Sequence, residues 1–293
     1  MKNILAYQVS KKIDVLPHVR RLNNTLNSAV LYQSIKDRET LVFPKVSAVI
    51  ITYNEAGIIA QTLSKLKWCD EVIVIDSGST DKTVDICNEY GCTVFHRAFS
   101  GFGEQKKFGV TKAKNDWILF IDADELLSEP LIEEIHFELN KKEIKFVGFE
   151  MTLNLVFMNK VFKYGKETNC NRIRLFNKNS GNWDGSVVHE KINLSGPVKR
   201  LNNKILHYSY TSYSQFLKKI DLYSHLSAEK IVAKKHKKNK AIIALSLPFN
   251  FFKYYLIDRN FLNGYQGFAW AVLNSIYHFV KYLKVEELRR NSK

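Results

Sequence analysis

Four short apolar runs between residues 45 and 121 have the length and composition of buried β-strands. Most are rich in Val and Ile, and they cover residues 46–51, 71–75, 92–95 and 117–121. Such runs are typical of strands that are buried on both faces of a sheet. The segments between them, such as Ile58–Lys67, carry apolar residues at helical spacing. Because strands alternate with helices, the pattern predicts an α/β fold with a mainly parallel central sheet.

The alternation fades beyond Leu139, and the rest of the chain has a different pattern. Residues 146–157 and 172–176 are predicted to be extended, and the apolar spacing becomes helical from Ser212 onwards. The chain is therefore divided into an N-terminal extension (1–44), an α/β domain (45–211) and a helical, basic C-terminal region (212–293).

Polar residues follow three of the predicted strands at the point where each strand ends. The three motifs are Thr52-Tyr53-Asn54-Glu55, Asp76-Ser77-Gly78-Ser79 and Asp122-Ala123-Asp124. In open α/β sheets, ligands bind at the edge formed by the carboxyl ends of the strands. The sequence therefore predicts that all three motifs face one ligand site.

Asp122 and Asp124 are the strongest candidates for chemistry. Two carboxylates one residue apart can hold a hard cation such as Mg²⁺ or Mn²⁺, which is commonly shared with the phosphates of a substrate. The pattern thus indicates a nucleotide or nucleotide-sugar substrate. The same short pattern also occurs in turns, and that alternative stays open on the triplet alone.

The other strand-end residues have two interpretations each. Asp76 can accept a hydrogen bond from a base or ribose, or it can cap the turn that follows. Glu55 can contact a ligand, or it can be a first-turn acid of the next helix. Lys106 and Lys107 can meet a diphosphate, or they can be part of a solvated helix start. The glycine-rich segment before them is neither a Walker loop nor a dinucleotide fingerprint.

A later segment contains candidates for acid–base chemistry. Glu190 or Asp184 can serve as a general base, and His189 can complete a metal shell because imidazole accepts Mn²⁺. A lone histidine is more often structural, so both interpretations of His189 stay open.

Charge and composition limit the class of partner. The 293-residue chain has a formal net charge of +15, which suits nucleic acid, nucleotide phosphates or an anionic membrane. Residues 199–240 contain eleven Lys or Arg and two acids, and an aromatic segment follows at 249–255. This combination favours an anionic membrane interface, with ordinary helix packing as the alternative. The four cysteines lack metal-site spacing, and neither a signal peptide nor a transmembrane helix is predicted.

Three segments in order resemble the family 2 glycosyltransferases, whose fold is GT-A. They are residues 49–55, 74–83 and 120–125. Further segments resemble the bacterial lipopolysaccharide core β-glucosyltransferases of the WaaE type. These segments are 103–108, 174–176, 188–191, 206–210 and 259–264.

The resemblance implies a metal-dependent, inverting transfer from a UDP-sugar. The sugar is a hexose such as glucose, and the acceptor is a hydroxyl of a lipopolysaccharide or lipooligosaccharide core or of another cell-envelope glycan. Asp76 would contact the base, Asp122 the ribose or the metal, and Asp124 the Mg²⁺ or Mn²⁺. The other nucleotide-sugar contacts would be Thr52, Tyr53, Asn54, Glu55, Ser77, Lys106 and Lys107.

The same resemblance assigns the remaining roles. Glu190 is the first choice for the catalytic base and Asp184 the second, while His189 would bind the metal or the diphosphate. The expected partners are a nucleotide-sugar donor, a glycolipid or glycan acceptor and an anionic membrane surface. The expected location is cytoplasmic, peripheral on the inner face of the cytoplasmic membrane.

Two other functions are compatible with parts of the sequence. A sugar-nucleotide nucleotidyltransferase can share a similar α/β core, but it needs an early glycine-rich signature loop that this chain lacks. A non-enzymatic nucleic-acid-binding protein would explain the basic charge, but the chain has no recognised nucleic-acid motif. No nucleic-acid partner is therefore expected.

Overall fold

The computed structural model describes residues 44–183, 192–210, 212–234 and 239–291. The N-terminal extension (1–43), the candidate residues Asp184, His189 and Glu190, and most of the basic cluster at 234–238 lie outside the described residues.

The first half of the α/β domain is a parallel sheet, as the sequence predicts. Its strands are β1 (Val46–Thr52), β2 (Glu71–Asp76), β3 (Thr93–His96) and β4 (Trp117–Asp122). They pair in the order β3–β2–β1–β4. The connecting helices are α1 (Ile59–Ser64), α2 (Thr83–Glu89) and α3 (Phe102–Lys112).

The second half of the domain extends this sheet with mixed pairing. Its strands are β5 (Glu125–Leu127), β6 (Gly148–Phe157), β7 (Lys160–Val161), β8 (Cys170–Asn177) and β11 (Val198–Tyr210). The order continues from β4 through β8, β6 and β11 to β5, and β7 pairs with β6. Helix α4 (Glu129–Leu139), a 3₁₀ turn (Lys178–Ser180) and a two-stranded sheet of β9 (Gly181–Trp183) and β10 (Ile192–Leu194) complete the domain.

Pairing is therefore parallel around β1 and mainly antiparallel around β8. Strands β4 and β6 both run antiparallel to β8, while β11 runs parallel to β6 and antiparallel to β5. The antiparallel strands β6 and β8 are connected through β7 alone, whereas β5, α4, β6 and β7 lie between β4 and its antiparallel partner β8.

Alternating residues of β1 build the two faces of the sheet. Ala48 and Ile50 belong to one apolar cluster with Leu63 of α1, and Val49 belongs to another with Val110 of α3. Gly109 lets α3 approach closely, because a Cβ atom at this position would overlap the Val49 side chain. The close packing holds the second half of α3 against the face of the sheet.

The C-terminal region is helical, as predicted, and packs on the end of β6. It consists of α5 (Tyr213–Ala233), α6 (Lys240–Phe252), a π-helical turn (Lys253–Ile257), a 3₁₀ turn (Asn260–Asn263) and α7 (Tyr265–Asn291). Phe157 of β6 makes edge-to-face contacts with Phe216 of α5 and Trp270 of α7, at centroid distances of 5.7 and 5.1 Å. Within the described ranges, no helix has the length and apolar character needed to cross a membrane.

Candidate functional site

The strand register brings the three polar motifs to one edge of the sheet. Thr52 lies beside Asp76, and Ile51 lies beside Asp122. A cavity of about 570 Å³ opens at this edge, within the range of about 300–1,000 Å³ that is usual for ligand pockets. Its walls come from the strand ends, from α3, from the end of β11 and from α5. The polar lining residues are Thr52, Tyr53, Glu55, Ser77, Gln105, Lys106, Asp122, Asp124, His207, Ser209, Tyr210, Lys219 and Tyr223.

Asn54 and the loop after β2 hold each other in place. The Asn54 side chain accepts a hydrogen bond from Thr80 N at 2.8 Å, and its own backbone N–H donates to Ser79 Oγ at 2.9 Å. Asn54 has a positive φ of 54°, which Asn tolerates better than most residues. Asn54 is not among the residues that line the cavity. Its hydrogen bonds instead stabilise the conformation of the loop after β2.

Glu55 places its carboxylate in the cavity. Its backbone N–H donates to Thr83 Oγ1 at 2.8 Å, which ties it to the start of α2. Burial, together with the negative charge of Asp124, raises the pKa of Glu55 to about 7. The carboxyl group can therefore hold or release a proton near neutral pH.

Asp76 closes the turn after β2. Its carboxylate is 1% exposed and accepts hydrogen bonds from Gly78 N and Ser79 N, both at 3.0 Å. Burial acts to raise the pKa of Asp76, but the hydrogen bonds from Ser79 and Gly78 outweigh it and lower the pKa. The turn-capping interpretation accounts for these contacts. The neighbouring Ser77 does line the cavity, and its hydroxyl accepts a hydrogen bond from Gln105 Nε2 at 3.1 Å.

The two candidate lysines lie on different sides of α3. Lys106 is buried and lines the cavity, and its ammonium lies 4.8 Å from the ring centroids of both Phe120 and Trp183. Lys107 is exposed and is not among the lining residues. The helix begins at Phe102, so both lysines lie inside it and not at its start.

Asp122 is held by a buried arginine. Arg174 of β8 donates from Nη2 to Asp122 Oδ2 at 2.7 Å and also to Glu125, so that one guanidinium bridges two carboxylates. Burial acts to raise the pKa of Asp122, but the charges of Arg174 and Lys106 outweigh it and hold the pKa well below its usual range. Asp122 is thus a fixed carboxylate at neutral pH.

Glu125 is the second carboxylate of this bridge and is fully buried. Its Oε2 accepts a hydrogen bond from Asp122 N at 3.2 Å. Burial raises the pKa of Glu125 to about 7, against the opposing charge of Arg174. The sequence alone predicts no role for Arg174 or Glu125, although both lie within segments that resemble the family.

Asp124 pairs with His207 of β11. His207 Nε2 lies 3.4 Å from Asp124 Oδ2, and Tyr208 N donates to Asp124 O at 2.8 Å. Burial acts to lower the pKa of His207, but the hydrogen bond and charge of Asp124 outweigh it and raise the pKa to about 9. The sequence gives no role to His207, since only the fold brings β11 next to this strand end.

The donor set at Asp124 fits a cation that is shared with a substrate. No three His, Cys, Asp or Glu side chains of the described residues form a ready metal cluster. Asp124 and His207 offer one carboxylate oxygen and one imidazole nitrogen, and Mg²⁺ commonly uses one or two carboxylates together with substrate phosphates. Asp122 is engaged by Arg174, so Asp124 and His207 are the better placed pair.

The comparisons with known proteins identify the family of this chain. Residues 47–192 match the model of the family described as Glycosyl transferase family 2, and the match contains all three motifs. The chain is 35% identical over 264 residues to an uncharacterized glycosyltransferase of Rickettsia bellii, a match covering 85% of this chain and 88% of the relative. This chain belongs to glycosyltransferase family 2. The predicted GT-A fold class is confirmed.

Two further similarities complete the comparison for this glycosyltransferase. The chain is 26% identical over 246 residues to the lipopolysaccharide core biosynthesis glycosyltransferase LpsC of Rhizobium meliloti, covering 82% of this chain and 91% of LpsC. It is also similar to a crystal structure of S. aureus TarS, with a TM-score of 0.43 and 16% identity over 85% of this chain and 92% of that chain.

Proposed function

We propose that this protein is an inverting glycosyltransferase that moves a hexose from a UDP-sugar to a hydroxyl of a lipopolysaccharide core or another cell-envelope glycan. Two observations support a nucleotide-sugar donor: the chain belongs to glycosyltransferase family 2, and three strand ends converge on one cavity. The relative LpsC, described as a lipopolysaccharide core biosynthesis enzyme, supports the acceptor class.

The described residues have distinct tasks in this proposal. Thr52, Glu55 and Ser77 would contact the nucleotide at the strand ends, while Lys106 and the fixed carboxylate of Asp122 would flank the ribose and diphosphate.

Asp124 and His207 would hold a divalent cation together with diphosphate oxygens. A bound Mg²⁺ or Mn²⁺ would supply positive charge beside the departing diphosphate. Because His207 has a pKa of about 9, it carries a proton at neutral pH in the metal-free protein. Cation binding would therefore release this proton, which makes metal affinity rise with pH.

Inversion by direct displacement needs one base to take the proton of the acceptor hydroxyl. Glu190 remains the first candidate and Asp184 the second; both belong to the segment 184–191, outside the described residues. His189 in the same segment remains a candidate metal or diphosphate ligand. A carboxylate base is suited to this step because it only needs to accept a proton as the bond to the sugar forms.

Thermal unfolding with a panel of nucleotide sugars tests the donor half of the proposal. With Mn²⁺ present, a UDP-hexose at about 100 times its Kd is expected to stabilise the protein by about 2.7 kcal/mol. For a chain of 293 residues that is a rise in Tm of roughly 4–5 °C. ADP- and CMP-sugars are the matched ligand controls, and UDP release on adding lipopolysaccharide core acceptor measures transfer.

Different results would favour the other two functions. Release of pyrophosphate from a nucleoside triphosphate, without any response to UDP-sugars, would indicate a nucleotidyltransferase. Strongly salt-dependent RNA or DNA binding, again without a response to UDP-sugars, would indicate a nucleic-acid-binding protein.

An exposed apolar stripe supports the proposed contact with an anionic membrane. Five side chains of α6 and the π-helical turn recur at helical spacing and are each at least 50% exposed. They are Ile242, Leu245, Phe249, Phe252 and Leu256. Cationic residues flank the stripe at Lys240, Lys253 and Arg259. Apolar side chains that insert between lipids and cations that face anionic headgroups are the two features of interfacial helices.

Vesicle binding tests this surface. Vesicles that contain phosphatidylglycerol are expected to bind the protein, and the double variant Leu245→Ser/Phe249→Ser should reduce the partition coefficient by at least about tenfold, since burying each side chain is worth about 1.5–3 kcal/mol. Phe137→Ser is the control, because Phe137 is equally exposed on α4. Equal binding of the wild type and the double variant would contradict the proposal, as would equal binding to pure phosphatidylcholine.

A further inference from the structure

A second, smaller cavity adjoins the first. It has a volume of about 260 Å³ and lies between α5 and α7. The two cavities share three lining residues, Tyr210, Lys219 and Tyr223, so a ligand in one lies next to a ligand in the other. The volume is slightly below the roughly 300 Å³ at which sites for drug-sized ligands begin, which suits a single sugar ring.

The walls of this second cavity are aromatic. Tyr210 packs on Phe216 at a centroid distance of 4.2 Å, and Tyr223 and Tyr277 also line the cavity. Tyr223 is 47% exposed, so its ring is available to a ligand. Aromatic faces stack on the C–H faces of sugar rings, while tyrosine hydroxyls remain at the edge for hydrogen bonds.

Hydroxyl and amide groups accompany the aromatic walls. Ser227 Oγ and Tyr277 OH lie 3.0 Å apart, and Asn274 donates from Nδ2 to Trp270 O at 2.9 Å. The first contact joins helix α5 to helix α7, and the second joins adjacent turns of α7. Both contacts restrict the orientation of these side chains. Such fixed polar groups in an apolar pocket give orientation to a polyhydroxylated ligand.

Lys219 adds a positive charge where the two cavities meet. Its ammonium donates to Ser209 O at 3.2 Å and lies 5.1 Å from the Tyr210 ring centroid. Among the residues that the structure describes, no carboxylate forms an ion pair with Lys219. The charge of Lys219 does act on Glu55 in the first cavity, but no described carboxylate lies within ion-pair distance, so the ammonium can still pair with an anionic ligand.

We propose that this second cavity is an acceptor subsite that binds an anionic sugar, with Lys219 at its phosphate or carboxylate and Tyr223 against its ring. The inference rests on the proposed function, because it needs a donor sugar in the first cavity. A sugar held here would anchor the acceptor beside the first cavity, and the reacting hydroxyl would belong to a part of the acceptor that extends past the shared side chains into the first cavity.

Ligand-observed NMR on the full chain tests the subsite with three probes. Glucose 6-phosphate and glucuronic acid represent the phosphate and carboxylate sources of the charge, and glucose is the neutral control. With UDP present at saturation, we expect one or both anionic sugars to bind at least about tenfold more tightly than glucose, because a charge-assisted contact is worth about 1.5–3 kcal/mol. The anionic sugar that binds more tightly shows whether the subsite recognises a phosphate or a carboxylate.

Variants locate the binding. Lys219→Gln should remove the roughly tenfold preference for the anionic probe, and Tyr223→Ala should weaken all three probes. Lys218→Gln is the matched control, since Lys218 is exposed and lines neither cavity. Circular dichroism and the UDP-induced rise in Tm report whether each variant folds and binds nucleotide.

The outcomes separate this proposal from the proposed function. If the wild type gives no Tm shift with any UDP-sugar, the proposed function fails. If UDP binds but the anionic sugars bind no better than glucose, the subsite proposal alone is overturned. Displacement of the probe by UDP also overturns it, because the probe would then occupy the diphosphate region of the first cavity. The subsite proposal is also overturned if Lys218→Gln and Lys219→Gln weaken binding of the anionic probes equally.

Discussion

Replacing Asp124 with asparagine is expected to lower kcat/KM for sugar transfer by about 100- to 1,000-fold, the usual effect of removing one fixed electrostatic contact to developing charge. The substitution keeps the size of the side chain and the backbone hydrogen bond from Tyr208 to Asp124 O. It removes the charged oxygen that pairs with His207, and with it one of the two donors that would hold the cation.

A second measurement on this variant reports the local geometry without depending on activity. In the metal-free protein the pKa of His207 is raised to about 9, and Asp124 is the main group that raises it. In Asp124→Asn the imidazole should therefore titrate at a lower pH, because burial then acts with less opposition. Histidine NMR titration of wild type and variant measures the difference.

Asp116→Asn is the matched control for this variant. Asp116 is exposed and lies at the opposite end of the same strand, away from the cavity. We expect it to change neither transfer nor the titration of His207. Full transfer activity in Asp124→Asn, or UDP-sugar binding with an unchanged response to Mn²⁺, would contradict the metal role.

The sequence suffices to predict the sheet edge because the relevant information is local. Each strand is a short apolar run, and each polar motif follows such a run directly. Parallel pairing then brings the carboxyl ends together, which is why Thr52, Asp76 and Asp122 lie at neighbouring positions of one edge. No long-range information is needed for that step.

The partners of these residues depend on contacts that the sequence does not reveal. Arg174 reaches Asp122 across 52 residues, and His207 reaches Asp124 only because β11 pairs with β5. Both strands join the sheet beyond the region of regular alternation, where pairing is mixed. Neither pattern nor propensity specifies the order of strands in such a region.

Helix phase and turn chemistry explain the remaining differences within the site. Lys106 and Lys107 are adjacent, but successive helix residues point in different directions, so only Lys106 enters the cavity. The start of α3 fixes this phase, and the sequence gives it only approximately. Asn54 lies in a loop and Asp76 is the last residue of β2, and in both cases the side chain accepts hydrogen bonds from nearby backbone N–H groups.

Replacing Arg174 with methionine is expected to destabilise the fold by about 3–5 kcal/mol, the usual effect of removing one partner from a buried charge network. The side chain of Arg174 is 5% exposed and bridges Asp122 and Glu125. Without it, two carboxylates share a buried site with no bridging cation. Because domains are stable by only about 5–15 kcal/mol in total, the loss is large.

The stability lost in Arg174→Met should depend on pH, because Glu125 titrates. Its pKa in the folded protein is about 7, above the ordinary value of 4.5, so its contribution to stability is complete below pH 4.5 and is lost as the pH rises through 7. Arg174 opposes this rise, so its removal raises the pKa of Glu125 further. Arg174→Met should therefore be more destabilising at about pH 8 than at about pH 5.

Urea unfolding of three variants at both pH values measures this dependence. Arg172→Met is the matched control, since Arg172 is exposed on the same strand, and it should change stability by less than about 0.5 kcal/mol. In the double variant Arg174→Met/Glu125→Gln no carboxylate at position 125 can ionise, so most of the pH dependence should disappear. If Arg174→Met were equally destabilising at both pH values, the network would not act through the charge of Glu125. If the double variant were as pH-dependent as the single one, another group would be responsible.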